Sequence, residues 1–141
     1  MLVALDAELL RSSFDLVLEN QPQLTMRFYE ILFERYPQVQ PLFGRNARAN
    51  QAEMLQRALL MVIEHVEDAQ WLSETLSAMG KKHVEYGVSE EMYDWVGASL
   101  LATLAEAAGP AWSPQLSAAW TDAYGAIAGI MKAAARETEA A

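Results

Sequence analysis

Apolar residues recur at steps of three to five along almost the whole chain, and no stretch alternates apolar and polar as a half-buried strand would. A chain written this way buries its apolar stripes by laying helix on helix. Leu5, Leu9, Phe14, Val17 and Leu18 fall on one face of a first helix, with Asp6 placed to cap it. Leu24, Phe28, Ile31, Leu32 and Tyr36 form the stripe of a second, with Pro22 in its first turn and Pro37 ending it. Pro37 to Phe43 holds two prolines and suits a 3₁₀ turn. Gly44 to Asn50 reads as a polar loop.

The second half repeats the logic. Helices are expected over about Gln51 to Glu67 (Leu55, Leu59 and Val62 inward) and Trp71 to Glu85 (Leu72, Leu76 and Met79 inward). Tyr86-Gly87-Val88 breaks the pattern, and Ser89 caps the next helix, with Glu90 and Glu91 at the positive end of its dipole. That helix carries Tyr93, Val96, Leu100, Leu101 and Leu104 inward and ends at Gly109-Pro110. Ser113-Pro114 opens a last helix that runs to about Arg136, leaving a polar tail over 137–141. The expectation is an all-α fold of about six substantial helices. They form either an aligned bundle or a pairwise-crossed packing, and only the second leaves a large flat cavity.

Composition narrows the chemistry. The length of 141 residues, 52 % of them hydrophobic, predicts one domain over 1–141 that needs no disulfide staple. There is no cysteine. That removes disulfides, iron–sulfur clusters, thiolate ligation, covalent haem attachment and a cysteine nucleophile. A net charge of −9 argues against general nucleic-acid binding. No apolar run approaches the roughly 20 residues of a membrane span, and Met1 to Leu10 carries acids rather than a basic secretory leader. A cytoplasmic protein is expected, without membrane or nucleic-acid partners.

Hydrolase and nucleotide-binding motifs are missing, as are Glu-x-x-His pairs: Val62 and Gly80 stand three residues before the two histidines, His65 and His83. Two histidines cannot close an ordinary zinc site. One histidine can still be the only protein ligand of a haem iron. His83 lies late in a helix one turn after Met79, where a half-buried structural histidine is the alternative. His65, between Glu64 and Val66-Glu67, reads as a surface residue. Phe28-Tyr29 reads first as core, although a buried tyrosine hydroxyl needs a partner. Gln51 reads as a polar residue near a helix start.

In combination these residues say more. Phe28-Tyr29-Glu30-Ile31-Leu32-Phe33, Pro37, Pro41-Leu42-Phe43, Lys81-Lys82-His83-Val84-Glu85-Tyr86-Gly87-Val88, Tyr93-Asp94-Trp95-Val96-Gly97, Leu100 to Leu104 and Ala119-Trp120-Thr121-Asp122-Ala123-Tyr124-Gly125 occur in order. The set resembles the globin domain of flavohaemoglobins and the single-domain globins close to them, over about residues 5–132. The resemblance implies the globin fold and one haem b held between helices.

Residue by residue, the resemblance implies His83 as the iron ligand, Phe43 packed on the haem, and Tyr29 on the opposite, distal side. Gln51 and Asn50 are both candidates for the distal amide. Gln51 is favoured because it places Leu55 four residues on and needs no insertion before His83. Phe28, Leu42, Leu55, Met79, Tyr86, Val88, Tyr93 and Val96 complete the implied pocket. Lys82 is the first candidate for the haem propionates, ahead of Lys81, Arg45 and Arg48. The family couples its histidine to a tyrosine, matched by Tyr93, and to a glutamate whose place is taken by Ala135, with Glu137 two residues beyond. The implied ligands are dioxygen, nitric oxide and carbon monoxide. The implied roles are oxygen binding or conversion of nitric oxide to nitrate with a separate flavin reductase; a gas carrier or store and a gas-sensing module are the alternatives.

Overall fold

The structure is a computed structural model that describes residues 6–43 and 48–140. Leu5 and Arg45 lie outside the described residues. The helices are α1 (Ala7–Asn20), α2 (Leu24–Arg35), α3 (Arg48–Glu64), α4 (Ala69–Glu85), α5 (Glu90–Ala108) and α6 (Pro114–Ala140). Two 3₁₀ segments, Pro37–Phe43 and Gly109–Ala111, lie between α2 and α3 and between α5 and α6. The described residues contain no strand.

Local chemistry sets the ends. The Asp6 carboxylate accepts from the Leu9 N–H at 3.0 Å, and the Asp68 carboxylate does the same for Trp71. The Ser113 hydroxyl accepts from Leu116 N–H at 3.2 Å. Several boundaries differ from expectation. Pro22 precedes α2 rather than opening it. α3 begins at Arg48, because Arg, Ala and Gln are good helix formers and a polar first turn can still be helical. α6 continues to Ala140 on a run rich in alanine and glutamate.

The helices cross in pairs. α4 lies along α6, α2 along α5, and α1 is wedged against α5 and α6. Two glycines permit the tightest crossings. A Cβ on Gly80 of α4 would sit 2.3 Å from the Met131 carbonyl oxygen of α6. A Cβ on Gly97 of α5 would sit 2.6 Å from the Tyr124 ring of α6.

The buried residues form two apolar clusters. The first joins Leu10, Phe14, Val17, Leu24, Phe28, Tyr29, Leu32, Leu100, Leu104 and Trp120. Two hydrogen bonds run through it: the Trp120 indole donates to Ser13 at 3.0 Å and Thr103 donates to the Ser99 carbonyl at 2.7 Å. The second is smaller and joins Val62, Leu76, Tyr93, Ala128 and Met131. Arg27 clamps Glu106 through two hydrogen bonds of 2.8 and 2.9 Å, tying α2 to α5. No helix among the described residues is long and apolar enough to cross a membrane.

Candidate functional site

His83 is held by the way α4 ends. Gly87, at φ +87°, takes the left-handed conformation that glycine adopts at little cost. The Val88 N–H then donates back to the His83 carbonyl and the Gly87 N–H to that of Val84, both at 3.0 Å. This pair of bonds is a Schellman stop, and it fixes the last turn of α4 at His83. Gly80, one turn earlier, seats the same helix against α6.

The His83 ring is half-buried, and its Nδ1 lies 2.7 Å from the Met79 carbonyl oxygen. A carbonyl carries no proton, so Nδ1 is the donor. In the neutral ring Nε2 therefore keeps the lone pair, free to bind a metal. The Tyr86 and Tyr93 rings stand 5.7 and 6.4 Å from the His83 ring. The Tyr93 hydroxyl is buried without a hydrogen-bond partner among the described residues. Burial raises its pKa. The Tyr124 hydroxyl, meanwhile, donates to the Tyr93 carbonyl at 2.6 Å.

Tyr29 sits in an aromatic nest. Phe28, Phe33 and Phe43 lie 5.1, 5.7 and 5.3 Å from its ring. It is 5 % exposed. Burial pushes its pKa up to about 12.

The structure sorts the sequence-derived candidates by cluster. Phe28, Tyr29, Phe43, Leu55 and Val96 share the first. Met79, Val88 and Tyr93 share the second. Val96, read beside Tyr93 in sequence, packs with the other group, because one helical turn of α5 spans both. Leu42 bridges towards α4, with its Cδ2 3.6 Å from the place of a Gly87 Cβ. Leu42 and Tyr86 are exposed for their type. Gln51, in the first turn of α3, is half-buried, whereas Asn50 is exposed. Lys82 is exposed and pairs with Glu85 at 3.2 Å, which raises its pKa. Lys81 is exposed and Arg48 opens α3. Ala135 is buried and Glu137 exposed. His65 is not simply a surface residue: its ring stacks on Trp71 at 3.9 Å and its Nδ1 lies 2.7 Å from the Met61 carbonyl. Sequence reasoning missed Gly80 and Gly97, although a glycine inside a helical pattern asks for a packing reason.

No group of three or more His, Cys, Asp or Glu that could hold a metal exists among the described residues. A bare ion has no site here. One imidazole with a free Nε2, half-buried apolar residues from two clusters and the buried, unpartnered Tyr93 phenol fit a flat apolar cofactor that brings its own metal ligands.

The six α-helices and the pairwise packing of α4 on α6 and α2 on α5 define an all-α protein. A sequence profile described as Globin matches residues 26–131, well over half of the chain, which belongs to the globin family. The chain is 28 % identical to a flavohemoprotein of Rhizobium meliloti over 133 residues, covering 93 % of this chain and 33 % of that protein. It is 32 % identical to one from Chromobacterium violaceum, covering 85 % and 30 %. The chain thus spans about a third of the length of these curated relatives. Among solved structures it is similar to a bacterial globin from Campylobacter jejuni (TM-score 0.81, 27 % identity, 96 % of this chain and 97 % of that one). It is also similar to an engineered carbene transferase made from a putative nitric oxide dioxygenase of Rhodothermus marinus (TM-score 0.84, 25 % identity, 99 % and 97 %).

Proposed function

We propose that this globin holds one haem b through His83 and binds dioxygen and other diatomic gases, in oxygen binding or in dioxygenation of nitric oxide to nitrate with electrons from a separate flavin reductase. Membership of the globin family and likeness to flavohemoproteins support the reading. The observation that carries it is the hydrogen bond from His83 Nδ1 to the Met79 carbonyl, which orients the ring and leaves Nε2 as the ligand. When bound, haem supplies an iron with one position open to a gas.

The remaining work falls to the chain. Tyr29 and Gln51 donate hydrogen bonds to a gas that gains negative charge on binding, in a pocket dried by Phe28, Phe43 and Leu55. A bond of that kind is worth about 1.5–3 kcal/mol and slows escape roughly ten- to a hundredfold. Gln51 is preferred to Asn50 because it is the half-buried one of the pair. Leu42, Met79, Tyr86, Val88, Tyr93 and Val96 would complete the walls. Lys82 would have to leave Glu85 to meet a propionate.

A second reading, carriage or storage of gas without turnover, is favoured by the unpartnered Tyr93 hydroxyl and the apolar Ala135. No acid at position 135 supports a stronger electron push from His83. The test of haem binding is spectroscopic. Haem-supplemented ferrous protein should show an intense Soret band that shifts with carbon monoxide, and His83→Ala should lose most of it. A spectrum of unbound haem from the unsubstituted protein overturns the proposal.

A further inference from the structure

A groove of about 460 Å³ lies between the start of α2 and the first half of α3. Its rim is exposed and polar, with Gln23 on one side and the Glu53–Arg57 ion pair on the other. Its floor is different. Thr25 and Ala52 line it, and they are 3 % and 4 % exposed.

Both floor residues adjoin the proposed distal pair. Thr25 is one helical turn before Tyr29 on the same face of α2. Ala52 follows Gln51. Ala52 and Tyr29 belong to one apolar cluster, with Met26, Leu55 and Leu60 packed against it. Apolar packing is therefore continuous from the groove floor to the Tyr29 ring. Across the groove, its α2 and α3 lining residues make no hydrogen bond or ion pair among the described residues. Met26 and Leu60, both half-buried and flexible in side chain, line the groove beside that floor.

We infer that this groove is the port through which diatomic gas reaches the Tyr29–Gln51 side, and that the small side chain of Ala52 leaves the least bulk to move in its floor. The inference rests on the haem reading above. A dissolved diatomic gas is apolar and small, so an apolar seam that breathes admits it while excluding ions. The competing path runs past the exposed Leu42 and Tyr86 at the α4–α5 corner.

A blocked port slows inward and outward passage alike, so both rate constants fall while the dissociation constant stays put. The experiment is carbon monoxide binding to the ferrous haem-loaded protein, with association by flash photolysis and dissociation by displacement. Ala52→Phe and Met26→Trp should each lower both rates by at least about fivefold, since the added rings must swing aside through packed core. Rates unchanged in both variants, or a change in one rate only, overturn the port. If the variants fail to fold, the unsubstituted carbon monoxide complex under xenon pressure decides. Methyl resonances of Ala52, Met26 and Leu60 should shift most; shifts confined to the Leu42 side, or none, overturn it. A missing carbon monoxide-sensitive Soret band defeats the haem reading instead, and it is seen before any rate is measured.

Discussion

Tyr29 is packed by Phe28, Phe33 and Phe43, and removal from water disfavours its phenolate. With its pKa pushed up to about 12, the hydroxyl stays protonated, and so remains a donor, well beyond the pH at which an exposed tyrosine ionises. The dioxygen off-rate of the haem-loaded protein should therefore be flat from neutral pH through pH 10, the ordinary tyrosine value. Tyr29→Phe removes the donor and keeps the ring, so the off-rate should rise by about tenfold or more at every pH in that range. Stopped-flow release into an oxygen scavenger measures both. An unchanged off-rate in Tyr29→Phe would show that the hydroxyl serves something other than the gas. At this scale the sequence marked Phe28 and Tyr29 as core, and the structure packs Phe43 against the same Tyr29 ring. Val96 points inward as its spacing predicts, but it packs with the cluster that holds Tyr29 rather than with Tyr93. Its neighbours depend on which helices meet α5, and spacing along one helix does not contain that.

Helix interiors were legible and helix ends less so. Asp6 and Ser113 marked starts because their side-chain oxygens satisfy free N–H groups. Arg48 to Asn50 were expected in a loop, yet they lie in the first turn of α3, because local polarity does not set backbone conformation. The crossings of the helices were the least visible feature. They turn on Gly80, where the missing side chain lets the Met131 backbone of α6 close in. Gly80→Ala must push α4 off α6, at a cost of about 1–3 kcal/mol, and His83 rides on the same helix. The thermal midpoint should fall by about 3–10 °C. Gly125→Ala is the matched control, because a Cβ there meets nothing within 4 Å. It should be neutral or stabilising by up to about 1 kcal/mol. Scanning calorimetry of the two variants separates a packing requirement at position 80 from a general effect of alanine in a helix.

For the molecule as a whole, the −9 charge and the absence of cysteine restricted the chemistry by exclusion, while family likeness supplied the fold. Turnover needs more than a gas site, and this chain spans about a third of the flavohemoproteins it matches. With haem bound, converting nitric oxide and dioxygen to nitrate would oxidise ferrous haem to ferric, so each further cycle would consume an electron. In the proposed reading Tyr29, Gln51 and His83 would hold and polarise a gas, and none of them is a source of electrons. Purified haem-loaded protein given dioxygen and nitric oxide should therefore stop after a single turnover. It should continue only when a separate flavin reductase and a reduced nicotinamide are added. A nitric oxide electrode with nitrate analysis reads both arms. Sustained consumption without a donor would overturn the electron argument. A halt after one turnover with every reductase supplied would favour the carrier, because the unpartnered Tyr93 and the apolar Ala135 leave His83 without a carboxylate to strengthen its push.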